Sequence, residues 1–247
     1  MYEISRRFAG QHVARFKAVL AGLAITTLVV TGAAAHATEL VQNGDFSENT
    51  GLGQLGYNGI SATDWSNPYP QYNFLFSSSK PTGVVNGQYG GLSLINVATP
   101  PAGADFVGLD ADYQTGPLQQ TINGLTAGDS YDLTFYWAAS QQTGFTGPTT
   151  QQLQVSLGGQ TDKTQVYHLP SQTFSGWMPA SMEFTATSSS EVLSFLAVGS
   201  PQVPPFTLLD DVSLTATPEP ESFALLLTGL MAGAGLVKSR RWLRAKR

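Results

Sequence analysis

Between residues 38 and 217 the sequence predicts an all-β sandwich, bounded on each side by an apolar segment of a different character. Three observations carry this reading. No stretch of the interval keeps apolar residues at helical spacing for three turns, whereas short runs alternate apolar and polar residues at period two. Clusters of Gly, Pro, Asn and Ser separate those runs, as turns require. The interval holds no cysteine, yet at about 180 residues it is long enough for one hydrophobic core without disulfides. No repeat of about 20–50 residues is visible, which argues against solenoids and propellers.

In chain order, Glu39–Phe46 opens as a strand running into an Asn43-Gly44 turn. An irregular segment, 47–70, carries Tyr57, Asp64, Trp65 and Tyr69. Tyr72–Phe76 alternates as a strand, and Leu92–Val97 is a weaker one inside the loop-rich segment 77–103. Phe106–Leu109 reads as a buried strand. The clearest passage is Leu118–Ala139: a strand at Leu118–Ile122, a turn at Gly124–Asp129, and a strand at Tyr131–Trp137. In the second strand Tyr131, Leu133, Phe135 and Trp137 share one face. The two are expected to pair antiparallel around Gly124–Gly128. After a loop bearing Phe145, strands are expected at Gln151–Leu157, Thr164–Leu169, Met178–Thr187, Glu191–Val198 and Thr207–Thr215. Turns at Gly158-Gly159, Ser188–Ser190 and Gly199–Pro205 separate most of these.

Charge narrows the function classes. Ten of the twelve Lys and Arg lie outside residues 38–217, which keep only Lys80 and Lys163 against fourteen Asp and Glu, or about −12. A surface of that sign repels nucleic acid, whose binding depends on Lys and Arg at phosphates. Without cysteine there is no disulfide framework, thiol nucleophile or Cys-zinc site. His168 is the one histidine of the interval, and no Ser-His-Asp or His-rich metal pattern assembles around it. Asp110 and Asp112 point the same way in an extended chain, about 7 Å apart. A glycosidase pair instead flanks the scissile bond across a cleft, so the two read as a solvated loop. No catalytic residue is assigned.

The aromatics make a stronger case. Tyr57, Trp65, Tyr69, Tyr72 and Phe74 cluster in a polar, Pro-containing stretch. Sugar rings stack their C–H faces on aromatic planes, and amphipathic rings suit a surface that is apolar on one side and wet on the other. Trp65, Tyr69 and Tyr72 are therefore the candidate ligand contacts. Core filling is the alternative for Trp65, and the expectation for Trp137 and Trp177.

Several strings resemble the galactose-binding-like jelly rolls found in many carbohydrate-binding modules and bacterial surface proteins. They are Leu40-Val41-Gln42-Asn43-Gly44-Asp45-Phe46, Leu118–Ile122 with Gly124-Leu125-Thr126-Ala127-Gly128, Tyr131–Phe135, and Leu208-Leu209-Asp210-Asp211-Val212-Ser213-Leu214. The resemblance implies a jelly-roll β-sandwich of two antiparallel sheets, with the first and last strands adjacent. That adjacency brings Asp210 and Asp211 beside Asp45. An oxygen-rich site there suits a structural calcium, which takes six to eight hard oxygen ligands, and related modules often hold one in this neighbourhood.

Both ends of the chain read as targeting segments. Arg6, Arg7, Arg15 and Lys17 precede an apolar run, Ala18–Ala35, and Ala35-His36-Ala37 offers small residues to a signal peptidase. Residues 1–37 are thus a secretory signal peptide, with maturation expected after Ala37. At the other end, Pro218-Glu219-Pro220 leads into an apolar segment at 222–237 and a basic tail at 238–247. An apolar helix over Phe223–Val237 rises about 22 Å against a hydrocarbon core of about 30 Å, which makes it a short anchor with its basic end in the cytoplasm. This order resembles the PEP-CTERM sorting signal of Gram-negative bacteria that make exopolysaccharide. The resemblance implies removal of the tail by an exosortase; a plain tail anchor is the alternative.

Together these readings describe an exported, non-enzymatic protein of the cell surface or exopolysaccharide matrix, with polysaccharide as a candidate ligand. The alternatives are a purely structural or adhesive matrix protein and an extracellular polysaccharide hydrolase.

Overall fold

The computed structural model describes residues 38–68 and 71–217, which form strands, turns and loops without a helix. The predicted signal peptide with Ala35 and Ala37, the Pro218-Glu219-Pro220 motif, the apolar segment 222–237 and Tyr69 all lie outside the described residues.

Numbering strands in chain order, one antiparallel sheet has the order β1 (Gly53–Gln54), β2 (Asn73–Phe76), β5 (Phe106–Asp110), β13 (Pro205–Ala216), β7 (Ser130–Gln141), β11 (Met178–Thr185). The second sheet has the order β10 (Tyr167–Leu169), β8 (Thr149–Leu157), β12 (Ser190–Ser200), β6 (Leu118–Asn123), with β9 (Gln160–Lys163) also against β8. A separate hairpin pairs β3 (Val85–Gly87) with β4 (Gly90–Leu92).

Period-two alternation builds the space between the sheets. Leu133, Phe135 and Trp137 of β7 and Leu209 of β13 meet Leu153, Val155, Leu193 and Phe195 of the second sheet in one buried cluster. The all-β sandwich is as the sequence predicts, but one pairing is not. β6 pairs with β12 and β7 with β13 and β11, so Leu118–Ile122 and Tyr131–Trp137 belong to opposite sheets. Their apolar faces look at each other across the core. Alternation identifies the buried face of a strand and leaves its neighbour open.

The first segment is a second departure. Glu39–Phe46 keeps only an isolated bridge, Glu39 to Thr215, because Asn43 and Phe46 take left-handed backbone conformations that break an extended run. It still lies along the end of β13, with Leu40 N–H donating to Leu214 O at 3.0 Å and Val212 N–H to Gly44 O at 3.0 Å. Gly44 permits this approach: a Cβ there would stand 1.9 Å from the Val212 oxygen. The adjacency of first and last segments implied by the resemblance is present.

The six-stranded sheet is buried on its outer face too. Phe74, Phe76, Phe106, Phe206 and Leu208 alternate with the inward residues and pack under Val85, Leu92, Leu94 and Val97 from the segment between β2 and β5. Trp177 joins this second cluster, edge-on to Phe106 at 5.5 Å, with its indole N–H donating to Ala98 O. Two-sided burial explains why β2 and β5 show no exposed position.

Candidate ligand-binding groove

Along one edge of the second cluster, where Phe74, Leu92 and Phe206 belong to both, a groove of about 360 Å³ opens. Its floor is the outer face of the sheet at Phe74 and Phe206. The β3–β4 hairpin overhangs it with Tyr89, Gly90 and Leu92. Asp110 and Tyr113 border it from the end of β5. The loop after β7 contributes Gln142 and Phe145, and the connection into β13 contributes Gln202 and Pro204.

Tyr72 anchors the aromatic side. Its N–H donates to Gln114 O at 3.1 Å and its carbonyl accepts from Asp110 N–H at 3.0 Å, which fixes it beside the end of β5. Its ring stacks on Phe74 at 5.7 Å and lies 5.7 Å from Tyr89 and 5.9 Å from Tyr113. Tyr89 and Tyr113 are 69% and 60% exposed, and Phe145 is 40% exposed. Large exposed rings gathered at one concave site mark a contact surface more than a packing need. Burial raises the Tyr72 phenol above its ordinary pKa, and the neighbouring Tyr89, Tyr113 and Asp110 push it the same way. It therefore stays neutral at physiological pH, with both a donor and an acceptor to offer.

The hairpin reaches over the sheet because Gly87 has no side chain. A Cβ there would come within 2.7 Å of the Phe74 ring and 2.9 Å of Gln54 Oε1. Asp110 is buried at the end of β5, contrary to the solvated loop expected from sequence. Its Oδ1 accepts N–H bonds from Asp112 at 3.0 Å and Tyr113 at 3.1 Å, and its Oδ2 accepts from Gln114 at 3.2 Å. The carboxylate thus shapes the loop that presents Tyr113. Burial, and then the charge of Asp110, raise the pKa of Asp112.

Of the residues proposed from sequence, Tyr72 lines the groove and Trp65 does not. Trp65 is 7% exposed, packs on Phe46 at 5.2 Å and Phe195 at 6.1 Å, and donates its indole N–H to Asn43 O. It fills the core between the sheets. Sequence reasoning missed Tyr89 and Tyr113. Each carries a local signal: Tyr89 stands between Gln88 and two glycines in a tight hairpin, and Tyr113 follows a buried strand within a turn.

Midway along β13, Asp210 is fully buried while Asp211, on a bulge at φ 52°, is exposed. Asp210 Oδ2 accepts Ala102 N–H at 3.2 Å, and Oδ1 is buried without a partner. Burial pushes its pKa up to about 7; N–H bonds from Ala102 and Asp211 oppose that, and the charges of Asp211 and Asp45 add to it. Asp45 Oδ1 is turned to Ser47, accepting from its N–H and hydroxyl. Among the described residues no three His, Cys, Asp or Glu side chains converge to hold a metal ion. Asp210 Oδ1 would be a single oxygen toward the six to eight that calcium takes, and the remaining ligands would have to include backbone carbonyls. His168 is an exposed residue of β10.

No family model and no curated protein matches the chain. Among solved structures it is similar to a carbohydrate-binding module in complex with β-1,4-galactotriose, at 12% identity over 73% of this chain and 100% of that one, TM-score 0.40. It is similar to a xylan-binding domain from Paenibacillus barcinonensis, at 12% identity over 76% of this chain and 100% of that one, TM-score 0.39. It is also similar to an arabinose-bound α-L-arabinofuranosidase, at 13% identity over 73% of this chain and 26% of that one, TM-score 0.43.

Proposed function

We propose that this chain is an exported, non-enzymatic β-sandwich module of the galactose-binding-like jelly-roll type that binds a saccharide in the groove over its six-stranded sheet. One observation carries the reading: Tyr72, Tyr89 and Tyr113 gather at the mouth of a groove, two of them largely exposed, with the amides of Gln142 and Gln202 nearby. Ring faces for C–H stacking beside amides for hydroxyl groups are what a sugar requires. Electrophoresis of the full chain through gels containing the polysaccharides of its host tests it. Retardation without release of reducing ends is expected, weakened about tenfold or more by Tyr89→Ala or Tyr113→Ala, equivalent to at least about 1.4 kcal/mol. Unretarded migration on every polysaccharide, or release of reducing ends, overturns it.

Delivery belongs to the same proposal. The order of Pro218-Glu219-Pro220, apolar segment and basic tail supports anchoring in the membrane, processing by an exosortase and display at the cell surface or in the matrix. Replacing the three motif residues by alanine is expected to stop processing; unchanged maturation sinks the sorting claim. A calcium ion near Asp45, Asp210 and Asp211 also remains a proposal, supported by the unpartnered Oδ1 of Asp210.

A further inference from the structure

The groove is bordered by carboxylate and offers no cation. Among its described lining residues Asp110 is the one charged side chain, and neither Lys80 nor Lys163 reaches it. Asp112 follows directly, and Gln202, on the groove wall, donates its amide N–H to the Asp112 carbonyl at 3.3 Å. The other lining side chains are phenols, phenyl rings, amides, Leu92 and Pro204, none of which carries a positive charge. The wider domain adds to this field, with two lysines against fourteen carboxylates and no arginine between residues 38 and 217. Approach of a polyanion is thus opposed by the net charge of residues 38–217 and again at the site. Burial is the main cause that raises the pKa values of Tyr72 and Asp112, and the charge of Asp110 acts in the same direction on both.

We infer that the groove takes neutral glycans and rejects acidic ones, those carrying uronate, sulfate or phosphate, through the carboxylates of Asp110 and Asp112, with no Lys or Arg among the described lining residues to oppose them. This rests on the saccharide reading above and names its ligand class. A neutral ring loses nothing to the field, while its hydroxyls meet Gln142 and Gln202 and its C–H face meets the tyrosines.

A matched pair of polymers tests the inference: hydroxyethylcellulose against carboxymethylcellulose, and galactan against polygalacturonate. The full chain is run through gels of each in chelator, which removes metal bridges, at about 20 mM and about 500 mM salt. At least one neutral member is expected to retard the chain equally at both salts. Its acidic counterpart is expected to bind about tenfold or more weakly at low salt, with the gap narrowing at high salt and in Asp112→Asn. Equal or tighter binding of the acidic member at low salt overturns the inference and leaves the saccharide reading standing. A gap that ignores both salt and Asp112→Asn overturns its electrostatic origin. Failure of all four polymers and of the host's own polysaccharides overturns the saccharide reading itself.

Discussion

The side-chain oxygen of Gln54 accepts the backbone N–H of Gln88 at 2.7 Å, so a residue of the short edge strand β1 holds the tip of the hairpin that overhangs the groove. The other end of the same amide donates to Gln71 O at 3.1 Å, one residue before Tyr72. Gln54 is 1% exposed, and both bonds end on backbone groups of the groove's frame. A single buried amide thereby sets the position of Tyr89 relative to Tyr72.

Gln54→Ala is expected to destabilise the fold by about 1–3 kcal/mol, because it removes the buried partner of two backbone groups. Hydrogen exchange should quicken at Gln88 and its neighbours while β7 and β13 keep their protection. Equal acceleration throughout the sandwich would show that the amide has no local role.

Trp65 and Tyr113 should part company on truncation. Trp65→Ala empties a site between the sheets and is expected to cost about 3–5 kcal/mol in urea unfolding. Tyr113→Ala removes a mostly exposed ring and is expected to change stability by less than about 0.5 kcal/mol. A large loss from Tyr113→Ala would mark it as a packing residue and weaken the groove assignment.

Asp210 predicts a pH dependence of stability. Its folded pKa lies above the value in an unfolded chain, so its stabilising contribution is complete below about pH 4 and is lost as pH rises through about 7. Asp210→Asn is expected to flatten the melting temperature across that window and to raise it at about pH 8. Calcium at that pH should stabilise the parent and leave the Asn variant unmoved. Indifference of the parent to both calcium and chelator sinks the metal proposal.

Glu191 works in the opposite sense. It is buried in β12, and burial alone would raise its pKa. Its Oε1 accepts from the Thr187 hydroxyl at 2.6 Å, Thr187 N–H at 2.7 Å and Ser188 N–H at 3.1 Å, and these bonds bring the net direction below the ordinary value. Its contribution is therefore present above the usual carboxylate range and is lost as pH falls through the folded value. Glu191→Gln is expected to lower stability near neutral pH by about 1–3 kcal/mol and to make the acid limb of the melting curve shallower.

Local pattern made the strand content legible. Tyr131, Leu133, Phe135 and Trp137 alternate cleanly, and β7 occupies that stretch and continues to Gln141. The partner of β7 was not legible, because Leu118–Ile122 has the same pattern whether it lies beside that strand or across the core from it. The groove was half legible. Tyr72 stood out among polar neighbours, but Trp65 in the same stretch owes its place to distant Phe195 and Asn43. The hairpin was missed because Val85-Asn86-Gly87 and Gly90-Gly91-Leu92 are too short and too rich in glycine to alternate; Gly87 earns its place through Phe74, which no local window contains.

β13 joins two regions treated separately above. Phe206, near its start, lies on the floor of the groove, and Thr215, near its end, bridges Glu39. The distance between those residues along the strand is roughly 30 Å at about 3.3 Å per residue. The chain therefore enters and leaves the sandwich side by side, at the end remote from Tyr72. A ligand seated on Phe206 is therefore separated from Glu39 and Thr215 by most of the length of β13, and the groove is occupied without touching either.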